Sequence, residues 1–354
     1  MITTQHPFLM HASRRSILQS TPTMAVILAS LLIVIPLRAQ DVTFSGFGAT
    51  GVRMYDRNPV SRYNQEFFYE GKLQADIALS KKIEAQLDFR GDSEERTAIL
   101  REVSVTFKQL TYARVRLGNV KKPYSIEGLM DRDEYIPVFD SHVHRRNAEL
   151  GYAGRNVGLL VYYNANLEKR PTVPYSYAVG VFKNNSYVTT AAARGSWHHG
   201  GWTTSLGYTV MARSHDDAIT THGISIDAGY TTAAFEGTIE AMLAQDPEEG
   251  IRRRLLGQSD VVWSPGVRAL AAVRVDVGGT FVRTIEPYLL LAWSAPDANA
   301  ARVHRAELMA GVNVFVDDDV RLRMVADGLF TRDRFADTYS THGSVFSIEI
   351  FFRF

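Results

Sequence analysis

Residues 72–90 read KLQADIALSKKIEAQLDFR, and the order of apolar and polar residues in this stretch decides the fold. Leu73, Ala75, Ile77 and Leu79 alternate with Lys72, Gln74 and Asp76. After Ser80-Lys81 the pattern resumes, with Ile83, Ala85, Leu87 and Phe89 set against Lys82, Glu84, Gln86, Asp88 and Arg90. Successive side chains of a strand point to opposite faces, so period 2 describes a hairpin with one dry and one wet face. The pattern continues outward on both sides. Val103, Val105 and Phe107 alternate with polar residues over 101–108, and Ala113, Val115 and Leu117 alternate with Arg114 and Arg116. Later segments around 235–243, 305–314 and 320–324 repeat it.

Taken from Asp41 onward, segments of about ten residues recur some sixteen times. Strands of 9–11 tilted residues cross a bilayer. A soluble β-sandwich also alternates, but with fewer, shorter strands and its wet face outside. The expected fold is therefore all-β, a transmembrane antiparallel β-barrel of about 16 strands. Mean hydropathy is −0.12 over 354 residues, which suits such a barrel because its two faces average out. Short connections (80–81, 109–111, 199–200, 316–319) alternate with longer polar ones (55–64, 122–155, 184–188, 213–221, 295–302, 332–342), as in outer-membrane barrels. Asn164–Pro174 is long where a short turn is due. An even strand number returns both termini to one side, so 251–263 and 266–276 cannot both span. The sequence does not say which of them does.

Residues 24–37, MAVILASLLIVIPL, follow Arg14-Arg15 and precede Arg38-Ala39. A basic start, a short apolar run and a small-residue site describe a cleaved signal peptide over 1–40, leaving 41–354 as the barrel. At fourteen residues the run is shorter than a spanning helix requires. The first forty residues hold three of the 39 basic residues and none of the 38 acidic ones; the remainder carries 36 against 38, a net charge of −2. That balance speaks against nucleic acid as a partner. With no cysteine, thiol chemistry and disulfides are excluded.

Alternation stops between Gly118 and Arg155, GNVKKPYSIEGLMDRDEYIPVFDSHVHRRNAELGYAGR. So long an irregular stretch inside a compact domain is uncommon and usually functional. Gly118, Lys121, Pro123, Tyr124, Glu127 and the strand opening Arg155-Asn156-Val157-Gly158 resemble the phosphate-selective porin O and P family, as does Tyr177–Phe182 followed by Asn184. Two departures are Val120, where that family has an aromatic residue, and Ile126-Glu127-Gly128 in place of its Leu-Glu-Glu turn. The resemblance spans about 112–185; outside it, the likeness is architectural, together with the terminal Phe354. It implies a sixteen-stranded homotrimer in the bacterial outer membrane, with a long third loop, 122–155, folded inward as the constriction of a channel for small polar or anionic solutes such as phosphate.

The loop carries Lys122, Arg132, Arg145, Arg146 and Arg155 against Glu127, Asp131, Asp133, Glu134, Asp140 and Glu149. Fixed charges in a narrow passage set selectivity. Near balance here points to a general pore with weak discrimination and a transverse field, in which Arg114, Arg116, Arg321 and Arg323 face carboxylates. The candidate solute-contacting residues are Lys121, Lys122, Arg145, Arg146, Arg114 and Arg116. No catalytic constellation, cofactor motif or metal set is expected. His142-Val-His144 has the spacing for two ligands on a strand but lacks a third, and Asp317–Asp319 reads as a turn. Trp197, Trp202, Trp263 and Trp293 fall near strand ends and fit an interfacial girdle. A non-conducting structural or adhesion barrel and a barrel-borne hydrolase are the alternatives.

Overall fold

The computed structural model describes residues 41–56, 65–93, 97–164, 173–185, 187–214, 218–298, 303–333 and 338–354. The expected signal peptide and the connection after Asp56 lie outside these residues. The strands are β1 (Asp41–Tyr55), β2 (Gln65–Ser80), β3 (Ile83–Asp92), β4 (Thr97–Leu110), β5 (Ala113–Lys121), β6 (Arg155–Tyr163), β7 (Tyr175–Asn185), β8 (Val188–His199) and β9 (Trp202–Arg213). They continue with β10 (Ile219–Thr231), β11 (Phe235–Gln245), β12 (Trp263–Val273), β13 (Val275–Asp276), β14 (Thr284–Ser294), β15 (Val303–Phe315), β16 (Val320–Asp333) and β17 (Thr338–Arg353). Every neighbouring pair is antiparallel, and β1 pairs with β17 from Phe47↔Arg353 to Tyr55↔Val345, so the sheet closes. β12 and the two-residue β13 both pair with β14 and form one stave. The barrel therefore has sixteen staves. Closure leaves no free sheet edge, the condition for a sheet exposed to hydrocarbon.

The ambiguity between 251–263 and 266–276 is resolved in favour of the second. Pro247–Leu255 is a helix. Asp246 caps it through Glu248 and Glu249 N–H, proline occupies its first turn, and Arg252, Arg253 and Arg254 end it. Acid at the start and base at the end suit the helix dipole. Two expected long loops are also corrected. Within 184–188, Asn185 of β7 stands opposite Val188 of β8, so the two strands run to within two residues of each other. The β16–β17 ladder runs out to Asp333↔Thr338, so most of 332–342 is strand.

Outward faces are apolar: Leu206, Ile226, Ile239, Leu289 and Leu291 are exposed. Trp197 and Trp202 sit at the short-turn end, with Trp202 against Tyr230 and Tyr112 against Tyr163. Trp293 stacks on His304 at the other end. Two aromatic belts thus flank an apolar band. The inward face departs from simple alternation. In β14, inward Tyr288, Leu290 and Ala292 are as apolar as the outward residues. They join Met211, Met242, Leu270, Met309 and Val325 in one cluster with Tyr124, Ile136, Val138, Val143, Leu150 and Tyr152. These last six belong to the irregular segment, which packs on the inward side of roughly half the wall.

Glycines make that approach possible. At Gly207 an added Cβ would lie 2.4 Å from the Tyr124 carbonyl oxygen, and at Gly266 2.7 Å from a Val143 methyl. Gly118 has φ +140 and its Cβ would meet the Val103 carbonyl at 2.0 Å, so only glycine fits where β5 turns toward the segment. We expect Gly266→Leu to leave the barrel folded while displacing the Val143 turn. Limited trypsin digestion in detergent should then cut at Arg145 or Arg146, where the wild type resists; equal resistance would show that the wall does not hold this turn.

A polar cavity beside residues 122–155

The segment has two short helices. Ser125 caps Ile126–Leu129 by accepting from Gly128 N–H, and Ser141 caps His142–Glu149 by accepting from His144 N–H. Glu127 ties them together. Its carboxylate accepts from Tyr135 OH, Ser141 N–H and Ser141 Oγ, each at 2.6 Å, and lies 3.0 Å from Arg268. Burial alone would raise its pKa, but Arg268 and these donors outweigh burial and lower it.

Irregular backbone away from water needs partners for its carbonyls. The wall supplies them. Fully buried Arg323 donates to the carbonyls of Tyr135, Ile136 and Pro137 and pairs with Glu349 at 2.9 Å. Asn313 donates to Ile136 O, Arg321 to Asp133 O and Arg194 to Tyr124 O. In the other direction, Glu307 accepts from His142 N–H at 2.8 Å and Arg145 at 2.8 Å, and lies 3.1 Å from His142 Nδ1. Arg132 bridges Glu349 (3.0 Å) and Glu70 (2.9 Å).

The other side of the lumen is open and polar. A cavity of about 310 Å³ toward the short turns is lined by Asp76, Glu102, Lys108, Arg114, Arg116 and Tyr162 among others. A cavity of about 540 Å³ toward the long loops is lined by Arg53, Arg90, Arg101, Asp140, Arg145 and Asp327 among others. The residues common to both linings are Lys121, Asp131 and Arg155. Asp131 lies 2.7 Å from Lys121, 3.0 Å from Lys72 and 3.3 Å from Arg155. Burial would raise the pKa of this carboxyl; the three cations more than offset that and hold it well below the ordinary range. A further cavity of about 520 Å³ opens at the short-turn rim between Asp133, Arg274, Arg321 and Arg353.

The six candidates separate. Arg114 and Arg116 line the smaller cavity, Arg116 also donating to Tyr162 OH and Thr106 Oγ1. Lys121 lines both cavities and Arg145 the larger. Lys122 and Arg146 line neither. Lys122 is buried and donates to Gly151 O; Arg146 reaches Asp246 and Glu149. Arg323, expected to face the pore, is instead a backbone clamp. Beyond these six candidates, Arg53, Arg90, Arg101, Lys108 and Asp131 also line the cavities. Arg90 and Lys108 stand on the wet face that alternation already gives, which was the available signal. His142 and His144 lie on a helix, not a strand, so at 100° per residue they diverge. Among the described residues no three His, Asp or Glu side chains are grouped to hold a metal.

Two stability outcomes follow. Removing one partner of a buried pair strands the other charge, at a cost of about 3–5 kcal/mol. Glu349→Ala, which strands the Arg323 charge and leaves Arg132 with Glu70 alone, should therefore lower the urea midpoint in detergent far more than Asp140→Ala at an exposed carboxylate. Burial lowers the Lys122 pKa to about 8 from 10.5. The unfolded chain then binds more protons between these values, so stability should rise with pH from about 8 to 10.5. Wild type measured against Lys122→Met should gain over that range; a flat difference would contradict the burial of the amine.

The sequence matches no family model, and comparison with curated proteins also finds no match. Solved structures do match. OmpF of Salmonella typhi, in complex with daunomycin, has a TM-score of 0.63 at 10 % identity, covering 88 % of this chain and 97 % of that one. A loop L8 deletion mutant of OmpT, an outer membrane protein of Vibrio cholerae, gives 0.61 at 10 % identity, with 89 % and 99 % covered. An anion-selective porin from Comamonas acidovorans gives 0.58 at 12 % identity, with 88 % and 98 % covered. At such identities the likeness is one of fold, and the fold is the sixteen-stranded barrel of bacterial outer-membrane porins.

Proposed function

We propose that this chain is an outer-membrane porin, exported by its N-terminal leader and assembled as a homotrimer. Its barrel passes small hydrophilic solutes by passive diffusion. The observation that carries the reading is the divided lumen: half filled by the segment 122–155, half a pair of polar cavities that meet beside it. In this reading the segment is the constriction loop. A structural or adhesive barrel has no use for charged side chains facing an open interior. Ser176 in the smaller cavity pairs with His198 Nε2 at 3.0 Å, but the other ring nitrogen of His198 meets the Thr203 hydroxyl rather than the carboxylate that would orient a hydrolytic base.

Solute sign is weakly discriminated. The smaller cavity sets Lys108, Arg114, Arg116, Lys121, Arg155 and Arg194 against Asp76, Glu84, Glu102, Asp131 and Glu134. Cations and anions at the same depth make a transverse field that orients polar solutes, and the slight basic excess favours anions. Phosphate as a solute rests on the family resemblance, and the anion-selective relative shares this fold. The protein in planar bilayers should give ohmic conductance with a reversal potential close to zero in a KCl gradient; a folded trimer without conductance would end the porin reading. Arg114→Glu with Arg116→Glu should move the reversal potential toward potassium.

A further inference from the structure

We infer that Asp131 sets the ion selectivity of the passage by masking the cations at the junction of its two cavities; this rests on the porin reading. Three observations converge on it. Asp131 is one of the three residues that line both cavities, so a solute moving from one to the other passes its cluster. The other two, Lys121 and Arg155, are its own partners, with Lys72 as a third. Finally, Asp131 is the carboxylate that both lysines of the cluster pair with. The other two carboxylates, Asp88 (3.9 Å) and Glu102 (3.0 Å), are turned to Arg155, and Glu102 is shared with Arg116 at 3.6 Å.

Lys121 is the member most dependent on Asp131. Its ammonium otherwise donates to the carbonyls of Leu129 and Met130, which carry no net charge. Without the Asp131 charge, Lys72, Lys121, Arg116 and Arg155 are left with Asp88 and Glu102, and the ammonium of Lys121 has no carboxylate within the cluster facing it. A partly desolvated passage amplifies such an excess, because walls of low dielectric focus the field of a fixed charge. Asp131 is thus a specificity-determining residue, and its partners Lys72, Lys121 and Arg155 do not express their full charge while it is present.

The test uses the folded, full-length mature protein in planar bilayers under a KCl gradient at low ionic strength. Wild type is compared with Asp131→Asn, with Asp131→Asn plus Lys121→Gln, with Asp131→Glu, and with Asp140→Asn at an exposed carboxylate of the larger cavity. The chloride-to-potassium permeability ratio should rise several-fold in Asp131→Asn, more than in Asp140→Asn. It should fall back when Lys121→Gln is added and stay near wild type in Asp131→Glu. The shift should shrink in 1 M salt, where screening reaches only about 3 Å. A ratio in Asp131→Asn that moves no further than in Asp140→Asn overturns the inference. So does a larger conductance without a move toward chloride, which would make Asp131 a structural tether alone. Absence of current in the wild type would be the failure of the porin reading itself, and heat-modifiable mobility in gels checks that each variant is folded.

Discussion

Arg323 under the carbonyls of Tyr135, Ile136 and Pro137 is the contact on which the interior depends. An irregular segment of this length inside a barrel is costly because its backbone groups lose water without gaining a ladder. One guanidinium, with five donors in a fixed fork, can satisfy several carbonyls at once. It brings a charge in with it, and Glu349 and then Arg132 follow to balance that charge. The lattice of buried ion pairs behind the segment begins with this need. It gains little stability as pairs, since desolvation offsets most of the Coulomb energy. What it supplies is register: Asp133 to Val138 lie on β15–β17 in one position because the carbonyls of Asp133, Tyr135, Ile136 and Pro137 accept from Arg321, Arg323 and Asn313 of the wall.

Filling one side of the lumen fixes what the other side can do. The wall from β10 to β16 turns apolar or clamping side chains inward, and β1–β6 turn charges toward open space. The segment therefore does two jobs with two faces. Its apolar face (Val138, Val143, Tyr152) holds it to the wall; Asp131, Glu134 and Asp140 on the other face look at the cavities.

Most of the barrel was readable because alternation is a direct record of which face a residue occupies. The stretch 72–90 became β2, its turn and β3 as read, and the C-terminal run ending in Phe354 became the strand that meets β1. Reading failed where a second partner interfered. Leu289-Leu290-Leu291 breaks period 2 because its inward side is also dry, and the sequence does not say what dries it. Pro247–Leu255 carries its helix signals in Asp246, Pro247 and the closing arginines, but it stands where a barrel sequence otherwise places a strand. The site was half legible. Charge type and wet-face position are written in the sequence, whereas pairing across 162 residues, as between Arg145 and Glu307, is not.

That last point changes what a charge count means. Five basic and six acidic residues over 122–155 suggest cancellation within the loop, yet most of the pairing runs between loop and wall. The loop's Arg132 and Arg145 neutralise wall carboxylates on the filled side, whereas its Asp131 neutralises wall cations on the open side. Cancellation is therefore local, and each site can be undone without the others. In the proposed reading as a pore, sign preference is then set by one residue at the junction while the clamps that hold the loop stay intact. A single overall excess of charge would offer no such separation, because every substitution would act on the same long-range field.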